Sequence, residues 1–105
     1  MKCIVRPKAW LDIEESMTWL RERADNQIAI RFWQSAQETF AALARQPGLG
    51  RLRADLKPLG LRSWQVDGFE KWLIFYLTGE TEVEIIRVRH GMMNLPEIFA
   101  GDENA

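Results

Sequence analysis

Lys71-Trp72-Leu73-Ile74-Phe75-Tyr76-Leu77 is the stretch whose pattern decides the fold. In a strand, successive side chains point to opposite faces. Leu73, Phe75 and Leu77 then line one face, and Trp72, Ile74 and Tyr76 line the other. Both faces are apolar, so this is a central strand covered on both sides. The neighbouring segments carry the same period of two. Residues 61–66 form one strand candidate and residues 81–89 another, separated from 71–78 by the turn signals Asp67-Gly68 and Gly79-Glu80. Lys2 to Arg6 form a short opening strand that stops at Pro7.

Between the opening strand and this group the period changes to that of a helix. Trp10, Ile13, Met17 and Leu20 recur at spacings of three and four, which predicts a helix over about residues 8–24 with Pro7 in its first turn. Asp12, Glu14 and Glu15 sit toward its start and Arg21 and Arg23 toward its end, as the helix dipole favours. Ile28, Phe32, Ala36, Phe40 and Leu43 predict a second helix over residues 26–45, entered through Asp25-Asn26 and closed by Pro47-Gly48. So short a link makes an antiparallel hairpin. Residues 47–60, with Pro47, Gly48, Gly50, Pro58 and Gly60, read as a loop, and Pro96 to Ala100 is a short helical candidate in the tail.

The order is β-α-α-β-β-β, an α+β domain over residues 1–105 with the helical hairpin packed on a small antiparallel sheet. Two helices cover one sheet face only. A partner chain is the economical cover for the second face of the 71–78 strand, and the 47–60 loop or the tail is the alternative.

Composition narrows the function. The chain has 105 residues, a net charge of −1 and 28 % charged residues, within the range of an ordinary globular domain. No apolar run approaches the roughly 18–20 residues that span a membrane. Met1 to Pro7 carries a charge and no long apolar stretch, so no signal peptide is expected. One cysteine, Cys3, excludes an internal disulfide and a cysteine-rich zinc site, and a reducing cytoplasm is the expected location. His90 stands alone, so no metal site is expected, and no glycine-rich phosphate loop calls for a cofactor. The near-neutral total argues against a protein that works mainly by gripping phosphates. It hides a basic segment, however: Arg45, Arg51, Arg53, Lys57 and Arg62 stand against the single acid Asp55. That segment is either a solvated loop or a docking surface for an anionic partner.

His90 follows Arg87-Val88-Arg89 at the end of the last strand. It is either an acid–base group flanked by arginines or a histidine packed at a strand end. By alternation Arg62 shares a face with Trp64 and Val66, and Arg87 shares one with Ile85 and Arg89. If register brought Arg62 and Arg87 to one face, they would clamp a phosphate or carboxylate. Trp10, Trp19, Trp33 and Trp72 are expected in the core, with Trp64 set apart by its place beside Arg62.

The ordered set Asp12-Ile13, Ala29-x-x-Phe32, Thr39-Phe40-x-x-Leu43-Ala44, Pro47-x-x-Gly50-Arg51, Leu61-Arg62-Ser63, Val66-x-Gly68-Phe69, Leu73-Ile74-Phe75-Tyr76 and Arg87-Val88-x-His90-Gly91 resembles the ParE/RelE superfamily of bacterial type II toxins, its ParE branch in particular. The resemblance spans about residues 2–100 and implies the same β-α-α-β-β-β fold. It also implies a cognate antitoxin whose C-terminal segment wraps the toxin in a hetero-oligomer. ParE-like members inhibit DNA gyrase and are not hydrolytic. RelE-like members are endoribonucleases that cut mRNA on the ribosome, a role for which Arg62, Arg87 and His90 supply part of the catalytic set. RelE-like chains are strongly basic and often carry a late tyrosine, whereas here the net charge is −1 and Tyr76 is mid-strand. The ParE-like role is therefore favoured, with a diverged, non-toxic antitoxin-binding module as a further alternative. In the ParE-like case Arg62, Trp64, Arg87, Arg89 and His90 form the effector surface, and Leu73, Phe75 and Phe99 contact the antitoxin. ParE-like chains commonly follow the His-Gly pair with Arg-Asp, where this chain has Met92-Met93-Asn94.

Overall fold

A computed structural model of the chain describes residues 1–91. The elements run β1 (Lys2–Val5), α1 (Pro7–Arg23), α2 (Asn26–Arg45), β2 (Arg51–Leu52), β3 (Arg62–Val66), β4 (Phe69–Thr78) and β5 (Glu82–His90). The α+β class and the helical hairpin on a sheet are as the sequence predicts. The tail candidates Pro96 to Ala100 and Phe99 lie outside the described residues.

Local chemistry places the helix ends. Pro7 occupies the first turn of α1, where its missing N–H costs nothing. Asp25 caps α2, its carboxylate accepting from the Ile28 N–H at 2.8 Å. Phe32, Ala36, Phe40 and Leu43 then form the buried stripe of α2.

The sheet order is β1-β5-β4-β3-β2. Pairing is antiparallel throughout except that β1 lies parallel to β5, with Val5 opposite Ile85. The sheet is thus mixed, and it gains a two-residue edge strand, β2, inside the stretch expected to be loop. The parallel pair arises because the helical hairpin returns the chain over the sheet, which leaves the first strand beside the last.

The core has two parts. On the helix side, Val66, Trp72, Ile74, Tyr76, Val83, Ile85 and Val88 pack under Ala9, Ile13, Leu20, Ala29, Phe32, Ala36, Phe40 and Leu43. On the other side, Phe75 is fully buried beneath Leu56 and Leu61, with Leu73, Leu77 and Ile86 at the margin. The 47–60 segment therefore covers the second face of β4, and the preferred expectation of a partner chain there is corrected. The reason is local: Leu56 and Leu61 supply the apolar surface that a self-cover needs.

One further correction concerns the tryptophans. Trp72 is buried, but Trp10 and Trp19 are 43 % and 44 % exposed on the outside of α1. Trp10 packs over Trp33 with ring centroids 5.3 Å apart, and Trp33 itself is partly buried against the core.

Candidate functional site

The C-terminal half of β5 and the start of α1 meet at one edge of the sheet. Pairing of β1 with β5 ends at Ile85, and the chain turns into α1 after Arg6 donates to the Ile85 carbonyl. The edge of β5 beyond that point would be open, and a lone strand edge must satisfy its N–H groups elsewhere. Asp12 does this. Its Oδ2 accepts from the Val88 N–H at 3.0 Å and from Arg87 Nε at 2.7 Å. Its Oδ1 accepts from Arg87 Nη2 at 3.0 Å and from Arg89 Nη1 at 2.8 Å. The Asp12 side chain is only 3 % exposed, so the carboxylate is desolvated, and two guanidinium partners and a peptide N–H compensate it. Glu15, on the outer side of α1, adds a longer contact of 3.4 Å to Arg89 Nη1.

This cluster is what the sequence reading missed. The helix dipole suits an aspartate near the start of α1, yet Asp12 lies beyond its first turn. A signal was present: Asp12 falls on the stripe of Ala9 and Ile13, where a carboxylate is buried and must find a cation.

Strand register separates the predicted residues. A shift between Phe75 and Tyr76 sets Arg87 opposite Phe75 but Ile85 opposite Tyr76, so Ile86 is the extra residue of a bulge. Ile86 and Arg87 both fall to the loop side, while Ile85 and Val88 pack under the helices. Arg87 and Ile85 thus do not share a face, contrary to strict alternation. Arg62 pairs with Tyr76 and Trp64 with Ile74, which places both on the helix side of β3. Arg62 and Arg87 lie on opposite faces, and the expected two-arginine clamp is not formed.

Each predicted residue has a definite place. Arg62 donates from Nη1 to the Gly50 carbonyl at 2.7 Å. Gly50 has no room for a side chain, because a Cβ there would lie 2.6 Å from the Tyr76 hydroxyl. That hydroxyl donates to the Pro47 carbonyl and accepts from the Gly50 N–H, each at 2.8 Å. Burial pushes the Tyr76 phenol above its ordinary pKa, against the opposing pull of the Gly50 N–H and the Arg62 charge. Trp64 is half-buried in a shallow cleft with Glu38, Thr39, Ala42, Arg45, Gln65 and Asp67. Among the antitoxin candidates, Leu73 is partly buried at the loop-side margin and Phe75 is wholly covered. Phe75 is closed to a partner while the loop is seated.

His90 gathers with Arg89 at the mouth of a cleft of about 330 Å³ lined by Glu15, Ser16, Trp19, Trp72 and Val88. Its ring stands edge-on to Trp72 at a centroid distance of 5.0 Å. Trp72 is itself fixed by donating from Nε1 to Ser16 Oγ at 3.1 Å. Arg89, His90, Trp19 and Glu15 thus form one contiguous surface at the end of β5. Arg87 supports it from behind, through Asp12. No cluster of metal-ligating side chains occurs among the described residues, and none of their helices is long and apolar enough to cross a membrane.

Comparison with known proteins gives a consistent result. A family model described as "ParE toxin of type II toxin-antitoxin system, parDE" matches residues 4–95. Toxin ParE3 of Caulobacter vibrioides is 39 % identical over 59 residues, which cover 56 % of this chain and 55 % of that protein. The chain thus spans about half the length of that curated relative. Among solved structures, a chain of the chromosomal ParDE system from P. aeruginosa superposes with a TM-score of 0.72 at 18 % identity, covering 86 % of this chain and 95 % of that one. A YoeB/ParE toxin from Agrobacterium tumefaciens gives 0.56 at 23 % identity, covering 86 % and 98 %. At such identities the two structures speak for the fold, and the family model speaks for the lineage. The chain belongs to the ParE toxin family of type II toxin–antitoxin systems.

Proposed function

We infer that this chain is a gyrase-directed toxin that acts by binding, in the cytoplasm, and that a cognate antitoxin neutralises it. The observation that carries this reading is the separation of Arg62 from Arg87, which lie on opposite faces of the sheet. Cleavage of RNA through its own 2′-OH needs groups that activate that hydroxyl, stabilise the phosphorane and protonate the leaving oxygen around one phosphate. Here Arg62 is held at the Gly50 carbonyl on the helix side, and Arg87 is engaged by buried Asp12 from the loop side. The near-neutral total charge agrees, since ribosomal RNA is a polyanion.

In this reading Arg89 and His90 contact the target and Arg87 positions them through Asp12. Arg62 and Trp64 form a second patch across the sheet. Leu73 offers the antitoxin an accessible apolar edge, and Phe75 joins it only where the covering loop lifts.

The test is a supercoiling assay with purified gyrase and purified toxin. Inhibition, relieved by stoichiometric antitoxin and weakened by Arg89→Ala and His90→Ala, is the expected result. No inhibition at a large molar excess overturns the reading, and messages cut on the ribosome after induction would replace it with endoribonuclease activity.

A further inference from the structure

The cleft of about 330 Å³ between α1 and the end of β5 is far roomier than the roughly 10–15 Å³ that admits one water. Its walls are rings. Trp19 and Trp72 form a corner, with centroids 5.9 Å apart and planes inclined at 66°, and His90 stands at 81° to Trp72. Register brings that last pair together. The Gly91 N–H donates to the Lys71 carbonyl, so Trp72 and His90, the next residues inward, form a non-hydrogen-bonded pair, whose side chains lie closest. Glu15 and Trp19 are four residues apart on α1 and so share its face. The Glu15 side chain is 72 % exposed. Its one bond is the 3.4 Å contact from Arg89 to Oε2, which leaves Oε1 without a protein partner among the described residues.

Two contacts within the chain show what such groups accept. Trp19 already carries a cation: Arg23 Cζ lies 4.8 Å from its ring centre, one turn on and outside the cleft lining. Asp12, one turn before Ser16 on α1, already takes two guanidinium groups, its Oδ1 accepting from both Arg87 and Arg89. We propose that the cleft binds an arginine side chain of the protein target, its guanidinium stacked on Trp19 and forked onto Glu15. Other occupants fit less well. An anion meets the Glu15 carboxylate, while Arg89 is held by Asp12 at 2.8 Å. An apolar side chain would withdraw the Glu15 carboxylate from water and supply no cation in return. The compact, strongly hydrated ammonium of lysine neither stacks flat nor forks. The planar, weakly hydrated guanidinium does both. The proposal deepens the reading of Arg89 and His90 as the target-contacting surface and rests on that reading for the identity of the partner.

The test is a titration of the isotope-labelled full chain, read on its indole N–H resonances by nuclear magnetic resonance. Nα-acetyl-L-arginine methylamide is the probe, with its norleucine and glutamate analogues beside it. The arginine probe is expected to shift Trp19 and Trp72 saturably and to bind roughly tenfold more tightly than norleucine, while glutamate shifts neither. Glu15→Gln and Trp19→Leu should each weaken the arginine probe roughly tenfold, with the rest of the spectrum intact. Norleucine binding as tightly as arginine, glutamate binding in its place, no saturable shift, or indifference to Glu15→Gln overturns the proposal. The titration needs no gyrase and so judges the cleft apart from that reading. In the supercoiling assay the same two variants should raise the toxin needed for half-inhibition roughly tenfold. If both inhibit like wild type, the target places no arginine here, and the proposal fails with the gyrase reading intact. If wild type spares gyrase but arrests growth on induction, the gyrase reading fails and the cleft is judged on arrest: loss in both variants upholds the proposal, and retention overturns it. A wild type that does neither overturns both.

Discussion

Strand β4 is apolar on both faces, yet its two covers are built differently. The helix-side cover is two long helices that bury eight apolar side chains against the sheet. The loop-side cover is a turn-rich segment that buries Leu56 and Leu61 over Phe75. Each fully buried aliphatic or aromatic side chain is worth about 1.5–3 kcal/mol, so the helical cover is by far the stronger. Each cover is also closed by an aspartate gripped by arginine. Asp12 is almost wholly withdrawn from water, whereas Asp55 is 58 % exposed. The same pair of charges therefore has different consequences. A desolvated carboxylate is costly to orphan, and a solvated one is not. A buried charge cluster therefore ties the end of β5 to the helix side, whereas two leucines and a solvated ion pair hold the loop over Phe75.

The sharpest way to break this comparison is Asp12→Ala. It orphans two guanidinium groups and the Val88 N–H at once, and a loss of about 3–5 kcal/mol in urea unfolding is expected. A loss below about 1 kcal/mol would place the site with ordinary surface pairs. Arg89 and His90 would also lose their seat, so gyrase inhibition should fall even at temperatures where the fold survives.

Leu56→Ala addresses the weaker cover and should cost about 2–4 kcal/mol, concentrated in the loop. Hydrogen exchange is the measurement. The amides of Arg53 and Leu61, which donate to the Leu61 and Pro58 carbonyls, should lose protection while those of α2 keep theirs. Equal loss in both would show that the covers open together.

Asp55→Asn is the gentlest change: at neutral pH it should cost the loop only the small contribution of a solvated ion pair. Its effect lies in acid. The hydrogen bonds from Arg53, with the charges of Arg53 and Arg51, lower the Asp55 carboxyl from 3.8 to about 2. A carboxyl lowered on folding favours the folded loop above its unfolded pKa, and that contribution is lost as pH falls from 3.8 through about 2. Wild type should therefore lose loop protection across that window, and Asp55→Asn should show no such step. A carboxyl that titrates near 3.8 by nuclear magnetic resonance would mean that the clasp is not formed in solution.

How much of this was legible depends on the reach of each interaction. Phe32, Ala36, Phe40 and Leu43 announce α2 because their spacing is a property of one segment. Trp72 through Leu77 announce a two-sided strand for the same reason. That Arg62 and Arg87 lie on opposite faces was not legible. Ile86, the extra residue of β5 at the Phe75–Tyr76 step, sends Arg87 to the other face. The cover of Phe75 was visible only as a choice between partner and loop, since Leu56 and Leu61 carry no period that says where they pack. Asp12 looked like a dipole partner because its true partners, Arg87 and Arg89, lie 75 and 77 positions away.

Two helices, four of the five strands, the two-sided apolar β4 and the toxin-family resemblance were readable from the sequence, because periodicity and turn chemistry act over a few neighbouring residues. Tertiary structure alone decided that β1 joins β5 in parallel, that Arg62 and Arg87 part company, that Asp12 seals the open edge of β5, and that the loop holds Leu59 out to solvent. Those outcomes follow from register and from the burial of charge, which exist only once distant segments have packed together.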